Sequence, residues 1–207
     1  GSIPAELYLA RNLRYINLEG NQLKGSLSTD VQMLAGLKTL VLSNNLLEGE
    51  IPFDSLASTS IVYLGLSSNK FKGGIVDEIR DCVSLRFLYL DQNELQGVIP
   101  VALGDASNLQ SINFDKNGFA GKIPATLGRL RKLEFLSMQS NKLVGSLPGE
   151  FDLLTSLKTL NLVANGLTGP LPNMSAMTSL ENLMLVGNQF SGPIADKFTE
   201  LSSLGKF

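Results

Sequence analysis

Asp91 and Asp115 stand 24 residues apart, at the same place in a repeated pattern, and Lys116 follows the second directly. Two carboxylates held side by side can raise one pKa or hold a cation. General acid–base catalysis would ask for more: a third group and a cleft. The chain supplies little toward either. It has no histidine and a single cysteine, Cys82. Gly20 and Gly25 are five apart but lack the Lys and Ser/Thr that complete a phosphate loop. No catalytic residue, metal site or cofactor is therefore expected, and Lys116 is expected to relieve the repulsion within the pair. Cys82 occupies the middle of the apolar series Ile79, Cys82, Leu85 and reads as a small buried hydrophobe.

What positions these groups is a clock of asparagines. They fall at Asn21, Asn45, Asn69, Asn93, Asn117, Asn141, Asn165 and Asn188, six intervals being 24 residues and the last 23. Each closes the same pattern, as in Leu85-Arg86-Phe87-Leu88-Tyr89-Leu90-Asp91-Gln92-Asn93. A fixed period of this length is the signature of a solenoid. Leu88 and Leu90 alternate with Phe87, Tyr89 and Asp91, so the segment reads as a short strand with leucines inward. Stacked copies predict a parallel sheet with the variable residues on its open face.

The asparagine follows each strand, where the chain must turn. Its amide can donate to a backbone carbonyl and accept from a backbone N–H, and buried backbone groups need such partners. Eight in register predict an amide ladder. Four residues after each stands a glycine, from Gly25 to Gly192, which predicts positive φ or close backbone approach. Leu or Ile and then usually Pro follow, as in Ile99-Pro100. Proline suits a strand edge or a helix start. The return limb carries apolar residues three apart, such as Leu127, Leu130 and Leu133, which fits a short 3₁₀ or helical turn.

The 207 residues are 43% hydrophobic and 17% charged, with net charge −2. That suffices for one buried domain, here growing in one dimension. Residues 1–207 read as a single solenoid segment of eight complete repeats with partial ones at both ends. Gly1-Ser2-Ile3-Pro4 resembles the tail of a repeat and Leu201-Ser202-Ser203-Leu204 the start of another, so caps are missing and a longer parent is expected. Clustered Lys and Arg, the footprint of nucleic-acid binding, are not seen. No stretch approaches the roughly 18 apolar residues of a membrane span, so this segment is not expected to contact a membrane.

The whole unit, a leucine-rich strand, then Asn, then Gly-x-Ile-Pro, resembles the plant-specific class of leucine-rich repeats, and the resemblance covers essentially the entire chain. It implies an α/β-type solenoid, a right-handed superhelix. The parallel β-sheet would line the concave face, with short 3₁₀ or helical turns and loops on the convex face. Such proteins are most often ectodomains of plant receptor-like kinases and receptor-like proteins. A smaller group are secreted inhibitors of polygalacturonase, a cell-wall hydrolase. The family's cysteine-paired cap is not matched here. By resemblance, the chain is a non-catalytic recognition module at the extracellular side of the plasma membrane, with a secreted, cell-wall inhibitor as the alternative. Its partners would be a protein or peptide ligand and a leucine-rich-repeat co-receptor.

The outward strand positions form the functional surface in that family. Here they carry Tyr15, Tyr63, Phe87, Tyr89 and Phe135, with aromatics densest from the third to the sixth repeat. Tyr63 and Phe87 are expected as lateral neighbours. Gly65 beside Tyr89 is expected to leave a hollow bordered by Asp91, Asp115 and Lys116. Exposed aromatics with a polar rim suit an anchor site, and aromatics also stabilise cross-strand neighbours; the sequence leaves both roles open. Arg14, Lys38, Arg86 and Lys158 precede the strands, opposite an acidic stripe of Glu19, Asp91 and Asp115. Asn173-Met174-Ser175 is a glycosylation sequon on the return limb, where the repeat loses one residue.

Overall fold

The computed structural model describes residues 1–193; the partial repeat read at 201–204 lies outside them. Eight strands form one parallel sheet in strict sequence order, beginning with Tyr15–Asn17 and ending with Asn182–Met184. The register advances by one repeat at each step: Ile16 pairs with Leu40, Leu40 with Leu64, and Leu64 with Leu88. The strands are three residues long, with one inward leucine in each, as Leu64 in Tyr63–Gly65 and Leu88 in Phe87–Tyr89, and a second just after it. Leu64, Leu66, Leu88 and Leu90 are wholly inside. Cys82 joins the same core, and burial followed by the field of Asp81 pushes its thiol up to about 11. It is a packing residue.

The asparagine ladder is present and richer than a single donor and acceptor per rung. The Asn69 amide donates to Leu66 O and Ser67 O in its own turn and to Leu42 O in the preceding repeat, at 3.1, 3.3 and 3.0 Å. Its Oδ1 accepts from Leu47 N at 2.9 Å. The pattern recurs at Asn45, Asn93, Asn117, Asn141 and Asn165. Asn188 also bridges two repeats, to Leu162 O and Leu167 N. Asn21 is exposed and donates only within its own turn.

Each amide is aimed by the residue before it. Asn44, Ser68, Gln92, Lys116, Ser140 and Ala164 all have φ between 52° and 57°, in the left-handed region. That geometry disfavours an L side chain by roughly 1–2 kcal/mol, and the ladder bonds offset it. The predicted glycines, Gly25 through Gly192, also all have positive φ, between 76° and 90°.

A second layer of pairing was not foreseen. After each asparagine the chain forms another short parallel strand, and these make a three-stranded and a five-stranded sheet along one flank. Pro100, Pro124 and Pro148 end this flank and cap the 3₁₀ turns Val101–Asp105, Ala125–Arg129 and Gly149–Leu153. The second repeat instead forms an α-helical turn, Phe53–Ala57, with Phe53 and Leu56 buried. In the shortened repeat Met174, Met177 and Leu180 fill the core through turns alone. Helical turns are broader than the roughly 4.8 Å strand spacing, so the stack bends with the eight-stranded sheet on its inner face.

Candidate functional site

Tyr63, Phe87 and Tyr89 come together on the inner face. The Tyr63 ring lies 5.8 Å from Phe87, centre to centre, and 5.3 Å edge-on from Tyr89. All three are half-buried. They arise from neighbouring strands, with Tyr63 opposite Phe87 and Gly65 opposite Tyr89. Tyr15 is 62% exposed and stands apart, separated from Tyr63 by the strand Thr39–Val41. Phe135 is likewise separated from Phe87 by Ser111. Of the five expected aromatics, three form the cluster and two flank it.

The hollow expected at Gly65 is filled. A Cβ there would meet Tyr63 Cε1 at 3.0 Å and Ser43 Oγ at 3.4 Å, so the Tyr63 ring folds over the glycine of its own strand. The missing side chain is what admits the ring. Small outward residues are also less open than alternation implies. Ser43, Ser111, Ser137 and Asn161 are all at most 8% exposed, as expected for short side chains beside larger neighbours on the inner sheet.

The two carboxylates are neighbours but turn apart. Asp91 accepts from Ser67 Oγ on one side at 2.5 Å and from Gln92 Nε2 at 3.2 Å. Asp115 accepts from Ser137 Oγ and the Gln139 N–H on the other side, at 2.5 and 2.6 Å. Burial pushes the Asp115 pKa up; its two hydrogen bonds oppose that, and the remaining influences are repulsion from Asp91 and attraction from Lys116. Lys116 is exposed and adds only the last and smallest of these. The relief expected from lysine comes mainly from hydroxyl and backbone donors. Among the described residues no three His, Cys, Asp or Glu side chains gather to hold a metal. The donors Ser67, Ser137 and Gln139 were missed as partners, although each stands at an outward position one period from its carboxylate or diagonal to it.

The basic row is not a uniform stripe. Arg14 turns its guanidinium to Gly36 O at 3.4 Å, and Lys158 pairs with Glu134 at 2.7 Å. Glu19 accepts from Asn44 Nδ2 at 3.1 Å. Asn173 is exposed on the return limb, its amide donating to Ser175 Oγ at 3.0 Å, while Met174 between them is buried.

Two family models, both described as leucine rich repeat, match residues 83–143 and residues 12–34 and 36–57, together just over half the chain. This chain belongs to the leucine-rich-repeat family. No curated protein matches this leucine-rich-repeat chain significantly. Solved structures do. The plant peptide hormone receptor RGFR1 in complex with RGF2 is 31% identical with a TM-score of 0.95, covering 99% of this chain and 33% of that one. PEPR1 with AtPEP1 is 33% identical, with a TM-score of 0.95 over 99% of this chain and 29% of that one. The Arabidopsis receptor kinase HAESA, in complex with the peptide hormone IDA and the co-receptor SERK1, is 33% identical with a TM-score of 0.93. That match covers 98% of this chain and 34% of HAESA. The leucine-rich-repeat segment therefore spans about a third of the length of these receptors. No described helix is long and apolar enough to cross a membrane.

Proposed function

We propose that this segment is the recognition surface of a plant receptor ectodomain on the extracellular side of the plasma membrane. It binds an extended peptide on its inner face and works with a second leucine-rich-repeat protein as co-receptor. The observation that carries the reading is the half-open cluster of Tyr63, Phe87 and Tyr89 with Asp91, Asp115 and Lys116 beside it. Aromatic anchors set among polar groups concentrate binding energy. The matched receptors, named as peptide complexes and in one case with a co-receptor, support it. They do not favour the hydrolase-inhibitor alternative. Tyr15 and Phe135 extend the surface on either side of the anchors.

The test is a panel of synthetic secreted-signal peptides titrated against the intact ectodomain. The best binder is expected to lose at least about thirtyfold in affinity to the Phe87→Ala, Tyr89→Ala double variant, with thermal unfolding unchanged. Equal affinity in a folded double variant overturns the reading.

Asn173 completes the proposal as a glycan-bearing residue, since it is exposed and lies on the limb away from the inner sheet. Material secreted from plant cells is expected to drop in mass on glycosidase treatment, and Asn173→Gln material to show no drop at this site. An unchanged mass in the unsubstituted protein rules the glycan out.

A further inference from the structure

Next to the aromatic cluster the inner face sinks. Thr39 and Val41 floor a trough of about 480 Å³ between Tyr15 and Tyr63, with Glu19 and Phe87 also lining it. Tyr15 and Tyr63 belong to strands two apart in the sheet, about 10 Å by strand spacing. The space above Thr39 and Val41 that both tyrosines line is ample for one flat side-chain group. The trough is electronegative. Glu19 is the one charged residue among its lining groups, and it makes no ion pair among the described residues. Burial first, and then the fields of Tyr89, Glu19, Asp91 and Tyr15, push the Tyr63 phenol above its ordinary value, and of these neighbours Glu19 and Asp91 are the carboxylates within electrostatic reach of its hydroxyl. No basic side chain lines the trough to cancel them. Val62 stands where Arg14, Lys38 and Arg86 stand in the neighbouring repeats, and Arg14 points to the Gly36 carbonyl instead.

We propose that this trough seats an arginine side chain of the bound peptide, its guanidinium between Tyr15 and Tyr63 and its N–H donors on the Glu19 carboxylate. A guanidinium is flat, cationic and weakly hydrated, stacks on aromatic rings, and matches a carboxylate with two parallel N–H groups. A lysine ammonium shares the charge but not the plane or the fork. The inference rests on the peptide reading above and assigns one side chain of that peptide.

Two synthetic pentapeptides, identical except for a central arginine or its neutral isostere citrulline, separate the contributions. They are titrated into the intact chain while the backbone amide shifts of Thr39 and Val41 are followed by NMR. The arginine peptide is expected to bind at least about tenfold more tightly than the citrulline peptide. Glu19→Gln is expected to abolish that preference and Tyr15→Ala to weaken it, while Glu134→Gln, on a residue paired with Lys158 away from the trough, leaves it intact. Equal binding of the two peptides, no saturable shift with either, or a preference that survives Glu19→Gln overturns the assignment. Equal binding of the two peptides that still depends on Phe87 and Tyr89 sinks the arginine seat alone. Loss of that dependence sinks the inner-face reading.

Discussion

Asn69→Ala is expected to destabilise the solenoid by about 3 kcal/mol or more, a large share of a domain's net stability. The reason lies in how the ladder shares its bonds. Leu42 O and Leu66 O each accept from two successive asparagines, Leu42 from Asn45 and Asn69, and Leu66 from Asn69 and Asn93. Removing one amide leaves each carbonyl a partner. The Leu47 N–H has the Asn69 Oδ1 as its acceptor and is buried, so it is orphaned. An unpaired buried donor costs about 1–3 kcal/mol, and the lost donor bonds add about 0.5–1.5 kcal/mol each. Asn69→Asp keeps the acceptor but turns a carboxylate toward three carbonyl oxygens, so it is expected to be at least as damaging. Asn21→Ala is expected to cost under about 1 kcal/mol, since Asn21 is exposed and bonds only in its own turn. Chemical denaturation gives the totals, and hydrogen exchange at the Leu47 amide gives the local cause. Similar losses at Asn21 and Asn69, or a still-protected Leu47 amide in Asn69→Ala, contradict the ladder account.

Gly128→Ala should destabilise by about 2–3 kcal/mol, for a steric reason. A Cβ at Gly128 would lie 2.3 Å from the carbonyl oxygen of Glu150, and one at Gly104 would lie 2.3 Å from that of Thr126. Both glycines are in the fourth position of their 3₁₀ turns, where Arg80 and Gln32 occupy earlier repeats. Three consecutive helical turns thus touch backbone to backbone on the outer side. A methyl group there must push Ala125–Arg129 away from Gly149–Leu153. That strain reaches Leu127 and Phe151, both fully buried. Gly149→Ala is the control, because a Cβ at Gly149 meets nothing within 4 Å. It is expected to be neutral or to stabilise by about 0.5 kcal/mol through the unfolded chain. If Gly128→Ala is as well tolerated as Gly149→Ala, the outer turns are not in such close contact.

The repeat was legible in the sequence because its physics is periodic. The leucine pairs, the eight asparagines and the eight positive-φ glycines each have one solution, imposed again at every step. Their recurrence in register is what made them legible. The left-handed residue before each asparagine was missed, although Gly20, Asn44 and Gly187 marked it. Ser68, Gln92, Lys116, Ser140 and Ala164 carry no signal of their own there and adopt that conformation because the turn demands it. The flank sheets were missed for a related reason. Their strands are two to five residues long with glycine at a fixed place, which reads as a turn until neighbouring repeats pair with it.

The candidate site divides along the same line. Lateral neighbours followed from the register, so the contact of Tyr63 with Phe87 was correctly anticipated. Anything that depended on a side-chain rotamer did not follow. Strand order alone fixes which Cβ atoms adjoin, but not where a long side chain leans. Tyr63 leans along its own strand onto Gly65, and Asp91 and Asp115 turn to opposite hydroxyls rather than to each other.

By itself the sequence determined a one-dimensional stack: its period, its inward leucines, its amide ladder and the set of residues free to vary on the sheet. Those features are local, and repetition turns a local preference into a global shape. Tertiary structure alone decided which outward groups are open, which are buried, and where an aromatic trough with a single carboxylate appears between Tyr15 and Tyr63. Those outcomes arise from side chains of three or four different repeats competing for one surface, and no spacing along the chain records the result of that competition.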